Sequence, residues 1–352
     1  MTLLAKTCAE ITDVNHAAAA AAQRLLDNKT KPRRSLGRLE DLACQIAGIQ
    51  GTPQPPLPTK AVVVMAGDHG VAQEGVSAYP PEVTWQMLLN FARGGAAINV
   101  LARQMDARLV VVDMGVNGPV EAIPGVLSRR VGLGTRNFAA GPAMTLAQAT
   151  EALEHGIAIA GELAANRVDL VAIGEMGIGN TTAATALLGA FSAYPIEQIA
   201  GRGTGIDDAT LAHKIAVIKR ALDVNRPADK SPEEILAALG GFEIAGLAGV
   251  VLGAAARGIP VLLDGFISST AALVAARLQP LAAKYVIASH QSVEIGHRVV
   301  LSMLGTKALF ELDMRLGEGT GAALAMPMVD AALHLLHEMA TFDTAGVTDT
   351  GL

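Results

Sequence analysis

One carboxylate, Glu318, stands between two glycines in the run 315–321, Arg-Leu-Gly-Glu-Gly-Thr-Gly, just ahead of a long helical pattern at 322–339. With no bulky neighbour, a bound molecule can approach it closely, and an acid so placed suits proton abstraction in a cleft. The same position suits helix capping, where a carboxylate complements the helix dipole. Pro327 falls in the early turns of that helix and is a point for a kink. Two further runs share one design: an apolar stretch, then glycines, then hydroxyl residues opening a helix. They are Gly-Glu-Met-Gly-Ile-Gly-Asn-Thr-Thr at 174–182 and Asp-Gly-Phe-Ile-Ser-Ser-Thr at 264–270. Free backbone N–H groups, a positive dipole end and hydroxyl donors make an anion site. Plain N-capping by Asn180, Thr181 or Ser268 accounts for the same residues. The loop Gly-Arg-Gly-Thr-Gly at 201–205 is followed by a helix carrying Lys214. It reads either as a backbone wrap for an oxyanion with a cation nearby, or as a surface loop and a solvated lysine.

Other chemistries find less support. Gly177-x-Gly179-x-x-Thr182 departs from the dinucleotide fingerprint at its third glycine, and no G-x-x-x-x-G-K-[ST] run occurs. The pairs Asp68 with His69, His290 with His297, and His334 with His337 all lack a spaced third ligand, so neither metal nor cofactor is expected. Tyr79-Pro80-Pro81 leads into a helix with Thr84, Gln86 and Met87. That mixture suits a flat heteroaromatic ring, and equally suits ordinary packing. A net charge of −6 argues against nucleic acid and anionic membranes as partners. Cys8 and Cys44 form no redox or metal spacing, and the first residues lack a signal-peptide core, so a cytoplasmic protein is expected. The most apolar region, 244–278, is broken by Arg257, Asp264 and Arg277; it reads as buried helix, strand and helix, not a membrane span.

These residues need a frame. Nearly all-apolar runs at 61–65, 108–113, 170–173, 259–264 and 285–289, with a weaker one at 126–131, alternate with helical patterns. Such runs are strands covered on both faces, and the alternation predicts a doubly wound, mainly parallel α/β sheet of about six strands with helices on both faces. Hydrophobic residues make up 51% of the chain but aromatics only 3%, with 37 glycines, which suits closely packed helices. Nearly every strand ends in a polar residue beside a glycine, and ligands of such sheets bind outside the carboxyl ends. The first sixty residues read separately, as helices at 14–28 and 36–49, the second capped by Ser35, then a linker at 52–59 with four prolines.

Taken in order, these segments closely resemble the nicotinate-nucleotide:dimethylbenzimidazole phosphoribosyltransferase family. The carriers are 67–71 with 74–80, Arg-Gly-Gly-Ala-Ala-Ile-Asn at 93–99, 174–182, 201–205, 264–268, Ser-His-Gln-Ser at 289–292, and 315–321. One departure lies at 31–37, Lys-Pro-Arg-Arg-Ser-Leu-Gly, where the family reads Lys-Pro-Pro-Gly-Ser-Leu-Gly. The resemblance implies transfer of a phosphoribosyl group from nicotinate mononucleotide to 5,6-dimethylbenzimidazole, giving α-ribazole 5′-phosphate and nicotinate. It implies Glu318 as base and Glu175 as a second acid of the pocket. Gly177, Gly179, Asn180, Thr181, Gly203, Lys214, Asp264 and Ser292 would hold the phosphoribosyl group, and Ser77, Tyr79, Gln86, Met176 and Leu316 the base. It also implies a homodimer, with a large domain at 58–321 and a small helical lobe from 1–57 and 322–352. A nucleotide sensor without catalysis, or transfer to another base, is the alternative.

Overall fold

Alternate residues of β1 (Lys60–Gly67) belong to opposite cores. Ala61, Val63 and Met65 face one helical layer, while Val62, Val64 and Ala66 face the other. This period of two explains why the strand is apolar throughout: neither face meets water. The computed structural model describes residues 1–119 and 123–349. β1 is joined by β2 (Arg108–Gly115), β3 (Val126–Ser128), β4 (Leu170–Met176), β5 (Val261–Leu263) and β6 (Val286–Ala288). The order is β3-β2-β1-β4-β5-β6, with every neighbouring pair parallel. The expected six-stranded, doubly wound sheet is therefore present. Its order is that of dinucleotide-binding folds, although the fingerprint is broken, a reminder that topology does not fix chemistry.

The strand at 259–264 is shorter than expected. Pro260 has no N–H to give, and only its carbonyl joins the ladder, accepting from the Val171 N–H at 3.1 Å. The apolar region around it is indeed helix, strand, helix. Every residue of Phe242–Ala255 is buried. It crosses the helix Leu146–Ala165 so closely that a Cβ on Gly156 would lie 1.9 Å from the Gly246 carbonyl oxygen. Small residues let these helices approach, which is what the glycine- and alanine-rich composition is for. Among the described residues no helix is long and apolar enough to cross a membrane.

The two terminal segments do meet: the Lys29 Nζ donates to the Met339 carbonyl at 2.7 Å, and Lys29 bridges Thr341. Yet the helices His16–Asp27, Arg38–Gln50 and Thr320–Glu338 share one hydrophobic cluster with Val62, Leu170, Ala172 and Leu262 of the sheet. The expected boundary at 321 cuts through the last of these helices, which serves as a covering layer of the sheet. The final three residues of the expected lobe, 350–352, lie outside the described residues. A short helix at Leu3–Glu10, capped by Thr2, has too few residues to stand out as a pattern in the sequence.

Ser35 is not the cap. The helix Arg38–Gln50 starts at Gly37, φ +53°, without a side-chain cap. Glu40 turns back instead, accepting from the Leu36 N–H at 3.0 Å and from Gln23, and it pairs with Lys31 at 2.8 Å inside the protein. Burial works to raise the Glu40 pKa, but these bonds outweigh it and the net shift is downward. In this loop Arg34 takes φ +60°, at the position where the resembling family has glycine. Its bond to Asp41 is solvent-exposed and worth little. Arg34→Gly is therefore expected to stabilise the fold by about 1 kcal/mol, seen as a higher midpoint in urea unfolding.

Candidate active site

A cavity of about 660 Å³ opens at the carboxyl ends of β4, β5 and β6, beside the point where the strand order reverses between β1 and β4. Ligands of such sheets bind there, and the volume is that of a small-molecule site. Glu318 enters it on a loop of three consecutive left-handed residues: Gly317 at φ +86°, Glu318 at +63° and Gly319 at +86°. A glutamate in this region is strained, and such strain persists only where surroundings enforce it. Here Asp264 enforces it, accepting from the Gly319 N–H at 3.0 Å and the Gly321 N–H at 2.7 Å. The Glu175 carbonyl accepts from the Glu318 N–H at 3.3 Å. Gly174 lets the loop lie directly on β4, since a Cβ there would come within 2.1 Å of the Gly319 nitrogen.

Two carboxyls in the cavity differ in environment. Burial first, then the charges of Asp264 and Glu243, push Glu175 up to about 8, against a bond from the Asn180 amide. Glu175 thus holds its proton at neutral pH. Glu318 is also raised, by burial and by Asp264, but the Ile98 N–H, pointing at its carboxylate from 3.5 Å, works the other way. Because the folded pKa of Glu175 exceeds the ordinary carboxyl value, the folded state keeps a proton that the unfolded chain releases. Stability is then full below about pH 4.5 and falls as pH rises towards 8, at roughly 1.4 kcal/mol per pH unit at most. Glu175→Gln keeps an acceptor for Asn180 and removes the titration. Its melting temperature should match the parent near pH 4, exceed it increasingly up to about pH 8, and keep a constant lead above that.

The other end of the cavity carries anion donors. The helix Asn180–Phe191 points its N-terminus there, with Thr181 on the wall. Behind Thr181 sits Lys214, fully buried, its Nζ donating to the Thr181 Oγ1 at 3.0 Å and the Gly201 carbonyl at 3.2 Å. Burial pushes this lysine down to about 8, while the charge of Glu294 works the other way. Ser292 is held by His297, whose Nδ1 accepts the Ser292 N–H at 3.0 Å. Nδ1 is therefore unprotonated, and Nε2 carries the hydrogen it shares with Ser269 at 3.0 Å. Burial, with His290 beside it, lowers His297 to about 3 and keeps it neutral.

A family model described as Phosphoribosyltransferase matches residues 11–347. The chain belongs to that family. It is 55% identical over 349 residues to a protein of Desulforamulus reducens named nicotinate-nucleotide–dimethylbenzimidazole phosphoribosyltransferase, covering 99% of both chains. A protein of the same name from Roseiflexus sp. (strain RS-1) is also 55% identical, with 99% of each chain covered. A solved structure of a protein with that name from Thermus thermophilus superposes with a TM-score of 0.90 at 46% identity, covering 95% of this chain and 99% of the other.

Of the residues singled out from the sequence of this phosphoribosyltransferase, the cavity is lined by Glu318, Glu175, Gly177, Asn180, Thr181, Gly203, Ser292, Tyr79, Met176 and Leu316. Five others stand elsewhere. Asp264 has both oxygens committed to the 317–321 loop and positions Glu318 instead of facing the cavity. Lys214 stands behind Thr181. Gly179 packs against His69 and Ala72. Ser77 shares a hydrogen bond of 3.2 Å with Thr204, outside the lining. Gln86 is solvent-exposed: on the helix Glu82–Ala92 it is Val83 and Met87, four residues apart, that face inward below Tyr79. That spacing of four from Tyr79 is a signal the sequence reading passed over. It also missed Ile178, Phe266, His290, Glu294 and Arg315 on the lining. His290 was visible as a strand-end residue. Arg315, within the 315–321 run, had no periodic pattern to single it out. Among the described residues no group of three or more His, Cys, Asp or Glu is arranged to hold a metal ion.

Proposed function

We propose that the enzyme transfers the phosphoribosyl group of nicotinate mononucleotide to 5,6-dimethylbenzimidazole, inverting C1′ and giving α-ribazole 5′-phosphate and nicotinate. The observation that carries this reading is one cavity with a strained carboxylate, Glu318, at one side and anion donors at the other. Relatives of that name over the full length support it. Tyr79, Val83, Met87, Met176, Ile178 and Leu316 make an apolar wall for a flat ring. Thr181, Ser292, the Gly203 N–H and the helix N-terminus would take the phosphate, with Lys214 supplying charge through Thr181.

The chemistry asks for a base and little else. The leaving group is a pyridinium and departs from C1′ as a neutral ring nitrogen, so no acid is needed to release it. The azole attacks C1′ through one nitrogen while the other gives its proton to Glu318. Positive charge developing on the ribose is stabilised by the surrounding carboxyls, with Asp264 behind the loop. Glu175, which burial favours in its protonated form, does not compete for the azole proton.

Incubation of the purified protein with both substrates, followed by chromatography, tests the reading. Equimolar nicotinate and a new nucleotide are expected. Product with another base, such as adenine, would keep the reaction and change the acceptor, and nucleotide binding without any product would leave a sensor. A homodimer and a cytoplasmic location are part of the same proposal. Tyr79 and Leu316 at the cavity, with Ile295 and Leu312 nearby in sequence, are each more than half exposed, apolar surface of a kind that a second copy covers. Light scattering should give twice the chain mass of 36.1 kDa.

A further inference from the structure

The loop at 201–205 brings backbone donors to the phosphate end of the cavity, and one of them is already engaged by a carboxylate. The Gly203 N–H donates to the Glu294 Oε1 at 2.9 Å. The second oxygen, Oε2, is buried without a hydrogen-bond partner among the described residues. It lies so close to Gly201 that a Cβ there would be 1.9 Å away, so the carboxylate and the loop are fitted to each other. Glu294 is only 8% exposed, yet it lines the cavity, as Gly203 does. Its own N–H donates to the Ser292 Oγ at 3.3 Å, which ties it to a residue of the phosphate end. The loop is held on its other side by the Arg315 Nη1, donating to the Gly203 carbonyl at 3.2 Å.

The charges here are unusual for an anion site. One buried ammonium, Lys214, has one buried carboxylate, Glu294, in its field, and the nearby His297 is neutral. A carboxylate bonded to a glycine-loop N–H occupies the place in which a phosphate oxygen would bond. A phosphate entering beside it meets a like charge in a poorly screened setting.

We propose that Glu294 is a resident anion of the phosphate subsite, which holds the Gly203 N–H and yields it to the substrate's phosphate. Its charge weakens the grip on phosphorylated ligands and so sets the balance between capture of the nucleotide and release of the nucleotide product. Glu294 is then a specificity-determining residue for the phosphoryl group, a role that rests on the phosphoribosyl reading of the site.

The test compares Glu294→Gln with the parent by titration calorimetry, using nicotinate mononucleotide and its riboside, which lacks the phosphate. The amide keeps an acceptor for Gly203 and loses only the charge. The variant should bind the nucleotide about tenfold more tightly or better, while the riboside is unchanged. Nucleotide affinity that is unchanged or weaker, or a shift shared equally by both ligands, overturns the proposal. If the variant does not fold, a crystal structure of the parent with the nucleotide decides. Gly203 N–H on a phosphate oxygen, with Glu294 moved away, supports the proposal; Gly203 N–H still on Oε1 beside bound phosphate refutes it. A parent protein that binds neither ligand overturns the functional reading itself, and the role of Glu294 with it.

Discussion

Glu318→Gln is expected to fold like the parent and to turn over about 10²- to 10⁴-fold more slowly, the range for losing a general base. The amide fills the same space and keeps an acceptor for the Ile98 N–H, so binding of nicotinate mononucleotide should change little. The loss should appear in the single-turnover rate with both substrates bound. Near-normal turnover would move the base elsewhere, with Glu175 the first carboxyl to suspect. A companion variant separates strain from chemistry. Glu318 sits at φ +63°, where glycine is at ease, and its carboxyl is buried. Glu318→Gly should therefore raise stability by about 1 kcal/mol or more while abolishing transfer. A drop in melting temperature would show that the glutamate is held there for stability and not at its expense.

Asp264→Asn should be the next most damaging change, although the residue does not line the cavity. An amide has one acceptor oxygen and offers its NH₂ to the other backbone N–H, so either Gly319 or Gly321 loses its partner. An unpaired buried N–H costs about 1–3 kcal/mol. The larger effect is on rate. Freed from one bond, the 317–321 loop relaxes from its left-handed conformation and Glu318 shifts, and a displacement of about 1 Å in a catalytic group costs about 10²-fold. We expect kcat to fall by that order while KM for the nucleotide stays within a few-fold, because the phosphate donors stand on other elements. Equal losses in kcat and in nucleotide affinity would instead place Asp264 in contact with substrate, as the sequence reading had it.

Asp264 shows where sequence reading reaches its limit. That a polar residue closes β5 was plain, and so was its place at the edge where ligands bind. Its partners, the Gly319 and Gly321 N–H groups, lie more than fifty residues on, and only folding reveals that they take both oxygens. Lys214 is a similar case. A lysine on an amphipathic helix reads as a solvated charge, but Thr181, the Gly201 carbonyl and the field of Glu294 let it be buried. The strands were legible because burial on both faces removes every polar residue from their middles. The loop of Glu318 was legible because glycines flank the acid. Gln86 was misplaced by one position on its helix, since the facing side depends on Tyr79 and the turn before it, not on composition. Ser35 looked like a cap because the buried Glu40 that replaces it could not be seen as buried.

Displacement at C1′, with Glu318 taking the azole proton, is reported most directly by the anomeric configuration of the product. Nuclear magnetic resonance of the nucleotide formed from nicotinate mononucleotide and 5,6-dimethylbenzimidazole should show the α-riboside alone, in amounts equal to the nicotinate released. A β-riboside, or nicotinate released as fast without the azole as with it, would contradict direct attack from the opposite face and the role given to Glu318.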